Sequence, residues 1–268
     1  MAQQPIPLYP AGAPLRETVP NGETPRITPY PVDNPKPHGA VVVLPGGGYG
    51  GRAGHEGAPI AEFFNKQGIG AAVVDYRVSP FRHPVPLLDA QRAIRWVRAN
   101  AGTYNWLPDK VAVLGFSAGG HLASTTLTHF DAGNADAEDP VERPSCRPDA
   151  VVLCYAVVTM SSSWTHEGSV HNLLGPKPSA ELRVDLSAEQ QVRAECPPTF
   201  LWHTADDQAV PVENSLMLAG ALRHFKVPFE LHVFPHGPHG MGLATGDPAV
   251  GQWPGLCAGW LKRQGWGA

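Results

Sequence analysis

A serine hydroxyl attacks a carbonyl only when a base takes its proton, and the base works best when a carboxylate orients it. The residues able to do such chemistry are therefore a serine, a histidine and an acid that one fold can bring together. Ser117 is the serine that stands out, in Gly115-Phe116-Ser117-Ala118-Gly119. The bare G-x-S-x-G pattern weighs little, because a chain with 29 glycines yields it by chance about once in eight such sequences. Its setting weighs more. Lys110–Phe116 reads as an apolar strand and Ser117–Phe130 as an amphipathic helix, so the serine falls on the turn between them. That turn lifts a hydroxyl above a sheet and sets it at a helix N-terminus, where free N–H groups favour negative charge.

In a strand-turn-helix fold of this kind the acid and then the histidine follow the serine, each after a later strand. Thr199–His203 is such a strand and runs into Thr204-Ala205-Asp206-Asp207. Phe229–Phe234 is another and runs into Pro235-His236-Gly237-Pro238-His239-Gly240. Both loops lie at strand C-terminal ends, where open α/β sheets bind ligands. Asp206 and Asp207 are adjacent, so their side chains cannot both face one histidine. Of His236 and His239, the latter precedes Gly240, which permits a close turn towards the serine. A tetrahedral oxyanion also needs backbone N–H donors. Ala118 follows the nucleophile, and Pro45-Gly46-Gly47-Gly48-Tyr49 follows an earlier strand, with glycines free to turn their amides inward.

The elements that must position these residues alternate. Apolar runs at Val41–Leu44 and Ile69–Asp75 read as buried strands, and Lys110–Phe116, Asp149–Tyr155, Thr199–His203 and Phe229–Phe234 as further strands. Helical spacing marks Glu56–Gln67 (closed by Gly68), Leu87–Ala101, Ser117–Phe130, Val212–Phe225 and Trp253–Lys262. On Leu87–Ala101 the apolar Leu88, Ala93, Ile94 and Val97 lie opposite Arg92, Arg95 and Arg98. Near-continuous strands between helices predict a mostly parallel sheet covered on both faces. Residues 1–38 read as an irregular Pro-rich lead-in with a short edge strand near Arg26–Tyr30. Residues 39–268 read as one domain, interrupted at about 157–197 by a small cap or loop.

Composition narrows the field. The 268 residues are 43% hydrophobic with a formal net charge of −4, and no basic run is present. Nucleic acid and anionic membranes are thereby disfavoured as partners. No stretch is apolar for the ~18 residues a membrane helix needs, and no leader is visible at the N-terminus, so a cytoplasmic location is the expectation. The 12 histidines include no metal-ligand spacing, so neither a metal nor an organic cofactor is expected. Cys154 and Cys257 fall in strand and helix patterns and read as buried packing. Cys146 and Cys196 sit in loops and could pair only if the fold joins them.

Pro45-Gly46-Gly47-Gly48-Tyr49, His55-Glu56-Gly57, Tyr76-Arg77-Val78, Asp89-Ala90-Gln91-Arg92-Ala93 and Gly115-Phe116-Ser117-Ala118-Gly119-Gly120-His121-Leu122 resemble the acetyl-xylan-esterase-like, feruloyl-esterase-like branch of the α/β-hydrolases. Asn172-Leu173-Leu174-Gly175, the stretch from Thr204 to Ser215 and Gly237-Pro238-His239-Gly240 extend the likeness from about residue 40 onwards. The resemblance implies an α/β-hydrolase fold and a Ser117–Asp207–His239 triad. It also implies an oxyanion hole at Gly47, Gly48 and Ala118, and short-chain, typically acetyl, esters of xylo-oligosaccharides or other sugars as substrates. Pro45 departs from the histidine that broader hormone-sensitive-lipase-like esterases carry before the glycines. Tyr49, Trp164 and His166 are candidates to border the substrate, offering stacking and hydrogen-bonding surface. A general carboxylesterase, a feruloyl esterase or a non-catalytic binding relative are the alternatives.

Overall fold

A strand of uninterrupted apolar residues is stable only with both faces covered, and all seven residues of His38–Leu44 are buried. In the computed structural model, which describes residues 2–267, this strand lies within an eight-stranded sheet. In chain order the elements are β1 (Ile6–Pro7), β2 (Arg26–Tyr30), β3 (His38–Leu44), α1 (Ala58–Lys66), β4 (Gly70–Asp75), α2 (Val85–Ala99), β5 (Trp106–Phe116) and α3 (Ser117–Thr128). They continue with β6 (Ala150–Cys154), α4 (Glu167–Leu174), α5 (Ala180–Asp185), α6 (Ala188–Gln191), β7 (Thr199–Thr204), α7 (Glu213–His224), β8 (Phe229–Phe234) and α8 (Trp253–Arg263). The strand order is β1-β2-β4-β3-β5-β6-β7-β8. β1 and β2 pair antiparallel to their neighbours, and β4 to β8 with β3 are parallel. The chain belongs to the α/β-hydrolase fold class.

Successive strand residues point to opposite faces, so the core divides in two. Val42, Leu44, Val113, Leu153 and Leu201 pack with Ile94, Val97, Leu122 and Leu218 from α2, α3 and α7. Val41, Val43, Leu114, Phe200 and Trp202 pack on the other side with Ile60, Phe64, Trp253 and Cys257 from α1 and α8. From β3 the chain first builds outward to β4 and then returns to the opposite side as β5. The loops leaving β3 and β5 therefore diverge and open a crevice at their C-terminal ends.

Three features differ from the sequence reading. Helix α3 is buried along its whole length rather than amphipathic, because α2 and the 157–197 segment cover it. Its hydroxyls turn back on the helix: Ser124 and Thr125 donate to the His121 carbonyl and Thr126 to that of Ala123. The arginine face of α2 is also covered, by residues 131–149. Arg92 pairs with Asp139 and Glu142, each at 2.6 Å, and Arg95 with Asp131 at 2.5 Å. Finally, the Pro-rich lead-in supplies two strands of the sheet and buries Leu8 and Ile27 completely. The four cysteines are unpaired and buried, Cys146 and Cys196 among them.

Candidate active site

β5 ends at Phe116 and α3 begins at Ser117, which leaves no residue for a gentle turn. Ser117 accordingly adopts φ 52°, the left-handed region that side-chain-bearing residues avoid. The flanking glycines are dictated by crowding. A Cβ at Gly115 would sit 2.1 Å from the Gly119 carbonyl oxygen, and one at Gly119 would sit 2.2 Å from that of Leu44. The tight turn thus packs α3 onto β3 and leaves Ser117 8% exposed, at the crevice beside the β3 loop.

The structure brings Ser117, His239 and Asp207 together. His239 Nε2 lies 2.8 Å from Ser117 Oγ, and its Nδ1 lies 2.7 Å from Asp207 Oδ2. Asp207 accepts a hydrogen bond through Nδ1–H, so Nε2 is left to take the serine proton. Burial opposes ionisation of Asp207. The neighbouring His203 and hydrogen bonds from His239 and the Val210 N–H outweigh it and hold the carboxyl well below the ordinary carboxylate range. The adjacent acid points elsewhere: Asp206 binds His236 at 3.0 Å and the Gly237 N–H at 2.9 Å. His236 is 86% exposed. Each aspartate therefore has its own histidine, one pair on the surface and one in the crevice.

The β3 loop faces Ser117 across this crevice. The Gly46 N–H donates to Glu56 Oε2 at 2.7 Å, so it is committed. The Gly47 and Gly48 amides have no acceptor among the described residues. Both glycines have positive φ, 137° and 62°, which is how the loop turns these amides while its carbonyls bond elsewhere. Gly47 O accepts from Gly50 and Gly51, and Gly48 O from Asn172 Nδ2 at 2.8 Å. Ala118 N–H lies in the first turn of α3 and is likewise without a helical partner. A cavity of about 260 Å³ joins these parts, lined by Gly47, Gly48, Ser117, His166, Ala209 and His239 among others.

Such an arrangement has close relatives. Residues 29–222 match the BD-FAE family. The chain belongs to the BD-FAE family of α/β-hydrolase esterases. It is 49% identical to the acetyl ester-xyloside bifunctional hydrolase from Caldicellulosiruptor lactoaceticus, with a TM-score of 0.96 over 99% of this chain and 97% of that one. It is 34% identical to an acetylxylan esterase of Xylanibacter ruminicola over 77% of this chain and 42% of that protein. It is 41% identical to endo-1,4-beta-xylanase B of Butyrivibrio fibrisolvens over 80% of this chain and 34% of that protein. The chain thus spans about a third to two fifths of the length of these two curated relatives.

Of the three residues expected to border the substrate of this BD-FAE chain, only His166 lines the cavity. Tyr49 is 1% exposed, and its hydroxyl donates to His121 Nδ1 at 2.7 Å. It is a core residue, turned inward by its own positive φ of 58°. Trp164 is 43% exposed and lies outside the cavity lining. Its backbone carbonyl is held by Asn214 Nδ2 at 2.9 Å.

The sequence reading missed the groups that join the two sides of the crevice. Glu56 is buried beside the cavity and accepts from the Tyr155 hydroxyl at 2.5 Å as well as from Gly46. Tyr155 in turn accepts the Gly242 N–H at 2.9 Å and sets its ring edge-on to His239, with centroids 4.9 Å apart. The carboxylate raises the Tyr155 pKa beyond what burial alone does, as befits a phenol that donates to it. His55 Nε2 adds a bond to the Gly240 carbonyl at 2.9 Å. Behind the acid, buried His203 donates to the Val210 carbonyl at 2.9 Å and lies 3.5 Å from Asp207 Oδ2. His55-Glu56-Gly57 was visible as a motif, but nothing in it signals a carboxylate turned inward. Among the described residues no cluster of His, Cys, Asp or Glu is arranged to hold a metal, and no helix is long and apolar enough to cross a membrane.

Proposed function

We propose that this chain is a serine esterase that removes acetyl groups from xylo-oligosaccharides or other acetylated sugars. Ser117 Oγ attacks the acetyl carbonyl while His239 Nε2 takes its proton, and Asp207 stabilises the imidazolium. The carbonyl oxygen, now an oxyanion, accepts hydrogen bonds from the Gly47, Gly48 and Ala118 amides. Collapse breaks the ester C–O bond, and His239 returns the proton to the departing sugar oxygen. Water then attacks the acetyl-serine with His239 again as base, releasing acetate and restoring the hydroxyl. Besides the ester and this water, the steps use only the chain's own residues. The observation that carries the reading is the unbroken relay from Ser117 Oγ through His239 to Asp207, at 2.8 and 2.7 Å. The likeness to an acetylxylan esterase and an acetyl ester-xyloside hydrolase favours an acetyl group as the acyl part and a sugar as the alcohol.

Two measurements test this. Ser117→Ala is expected to abolish 4-nitrophenyl acetate hydrolysis and fluorophosphonate labelling while its circular dichroism stays native. Retained turnover would end the assignment. Acetate release across acetylated xylan, acetylated xylo-oligosaccharides, acetylated glucose and aryl acetate, butyrate and feruloyl esters is expected to favour acetylated sugars. Equal rates on sugar and aryl acetates would favour a general short-chain carboxylesterase, and preference for feruloyl esters a feruloyl esterase.

A further inference from the structure

His166 opens helix α4 as its N-cap, an unusual post for histidine. Its Nδ1 accepts the Ser169 N–H at 3.2 Å and contacts Ser169 Oγ at 2.8 Å. A backbone N–H can only donate, so Nδ1 must carry a lone pair, and the ring proton resides on Nε2. Burial and the nearby His239 both push the His166 pKa down, which keeps this tautomer neutral. Nε2 has no acceptor among the described residues and is not one of the sealed-off polar atoms. The ring stands over Gly48, whose added Cβ would lie 3.9 Å from His166 Cε1. It borders the same cavity as Ser117 and His239. The result is a fixed hydrogen-bond donor beside the reacting centre that the hydrolytic steps do not use.

An acetyl ester has few oxygens for this donor to meet. The carbonyl oxygen goes to the amides of the β3 loop and Ala118, and the acetyl methyl accepts nothing. The ester oxygen must face His239, which protonates it. The next oxygen belongs to the alcohol, on the carbon adjoining the one that bears the ester. We propose that His166 Nε2–H donates to this vicinal oxygen and so selects esters of 1,2-diols and polyols, sugars among them, over esters of simple alcohols. The inference rests on the acetyl-transfer reading above and gives it a specificity-determining residue.

The test compares 2-hydroxyethyl acetate with propyl acetate, which match in length and differ by the vicinal hydroxyl. Wild-type protein is expected to favour the glycol ester about five- to tenfold in kcat/KM, the worth of one neutral hydrogen bond. His166→Asn keeps a capping acceptor where Nδ1 stood and removes the far side of the ring. It is expected to bring that preference ratio to near one with thermal stability unchanged. His166→Ser, also a capping residue, is expected to do the same should Asn repack the loop. A ratio that stays at the wild-type value in both variants overturns the inference, as does a wild-type ratio near one. Failure of wild-type protein to hydrolyse either ester overturns the acetyl-transfer reading itself, and the inference with it.

Discussion

The two adjacent aspartates are chemically alike, yet their surroundings give them opposite fates. Asp207 accepts the Ala209 and Val210 N–H groups through Oδ1, which fixes Oδ2 on His239. Asp206 is spent on a surface histidine. On the proposed mechanism, Asp207→Asn is expected to lower kcat about 10³–10⁴-fold by upsetting the His239 tautomer. Asp206→Asn is expected to stay within threefold of wild type in the same assay; a comparable loss would exchange their roles. Tyr155 is the second residue-scale test. Tyr155→Phe removes the donor to Glu56 and the acceptor for Gly242, loosening both sides of the crevice. The expected result is about a tenfold fall in kcat with KM little changed, and a kcat within twofold of wild type would show that the bridge does not position His239.

At the scale of elements, the turn from β5 into α3 works because α3 can lie directly on β3. Gly119→Ala would force a methyl into the Leu44 and Pro45 carbonyls, and backbone cannot yield as a side chain does. It is expected to destabilise the protein by about 2–3 kcal/mol in urea unfolding or to abolish folding. α3 also carries His121, fully buried between the Tyr49 hydroxyl and the Leu186 carbonyl at 2.7 and 2.8 Å. Burial pushes it down to about 4 from the ordinary 6.5. Its folded pKa is depressed, so the unfolded chain binds the extra proton between these values and stability falls as pH drops from 6.5 towards 4. The loss is on the order of 3 kcal/mol. His121→Gln is expected to remove this part of the acid sensitivity, measured as a shallower decline of unfolding free energy from pH 7 to 4.5. An unchanged slope would assign it to other groups.

At the scale of the whole molecule, the lead-in is strapped to the domain by polar contacts that its composition conceals. Arg77 and Asp89 form a buried pair at 2.7 Å, and Arg77 Nη1 also donates to the Pro14 carbonyl at 2.6 Å. Glu23 binds Arg52 and the Val78 N–H. Arg77→Met leaves the Asp89 carboxylate buried without its partner and is expected to cost about 3–5 kcal/mol in urea unfolding. Arg77→Met with Asp89→Asn is expected to recover more than half of that loss, since the amide still accepts the residue-77 N–H without a charge. Failure to recover would mean that the strap to Pro14, rather than the unpaired charge, carries the cost.

Local sequence determined much of this protein. The interior parallel strands were legible because both faces of each must be apolar, whereas β8 lies at the sheet edge with Val233 exposed. Ser117 was legible because a strand running straight into a helix requires Gly115 and Gly119. The order of Ser117, the aspartates and the histidines followed from the strands that precede them. Asp206 and Asp207, by contrast, are adjacent and chemically alike; only the family resemblance pointed to Asp207, and the loop that folds Ala209 and Val210 back onto it supplies the physical reason. Tyr49 and Trp164 likewise look like pocket aromatics until the fold buries one and leaves the other exposed. Glu56 and Tyr155 stand 99 positions apart, and no periodicity records a hydrogen bond across that distance. Side-chain direction and long-range pairing arise from packing between elements, which is why tertiary structure alone decided them.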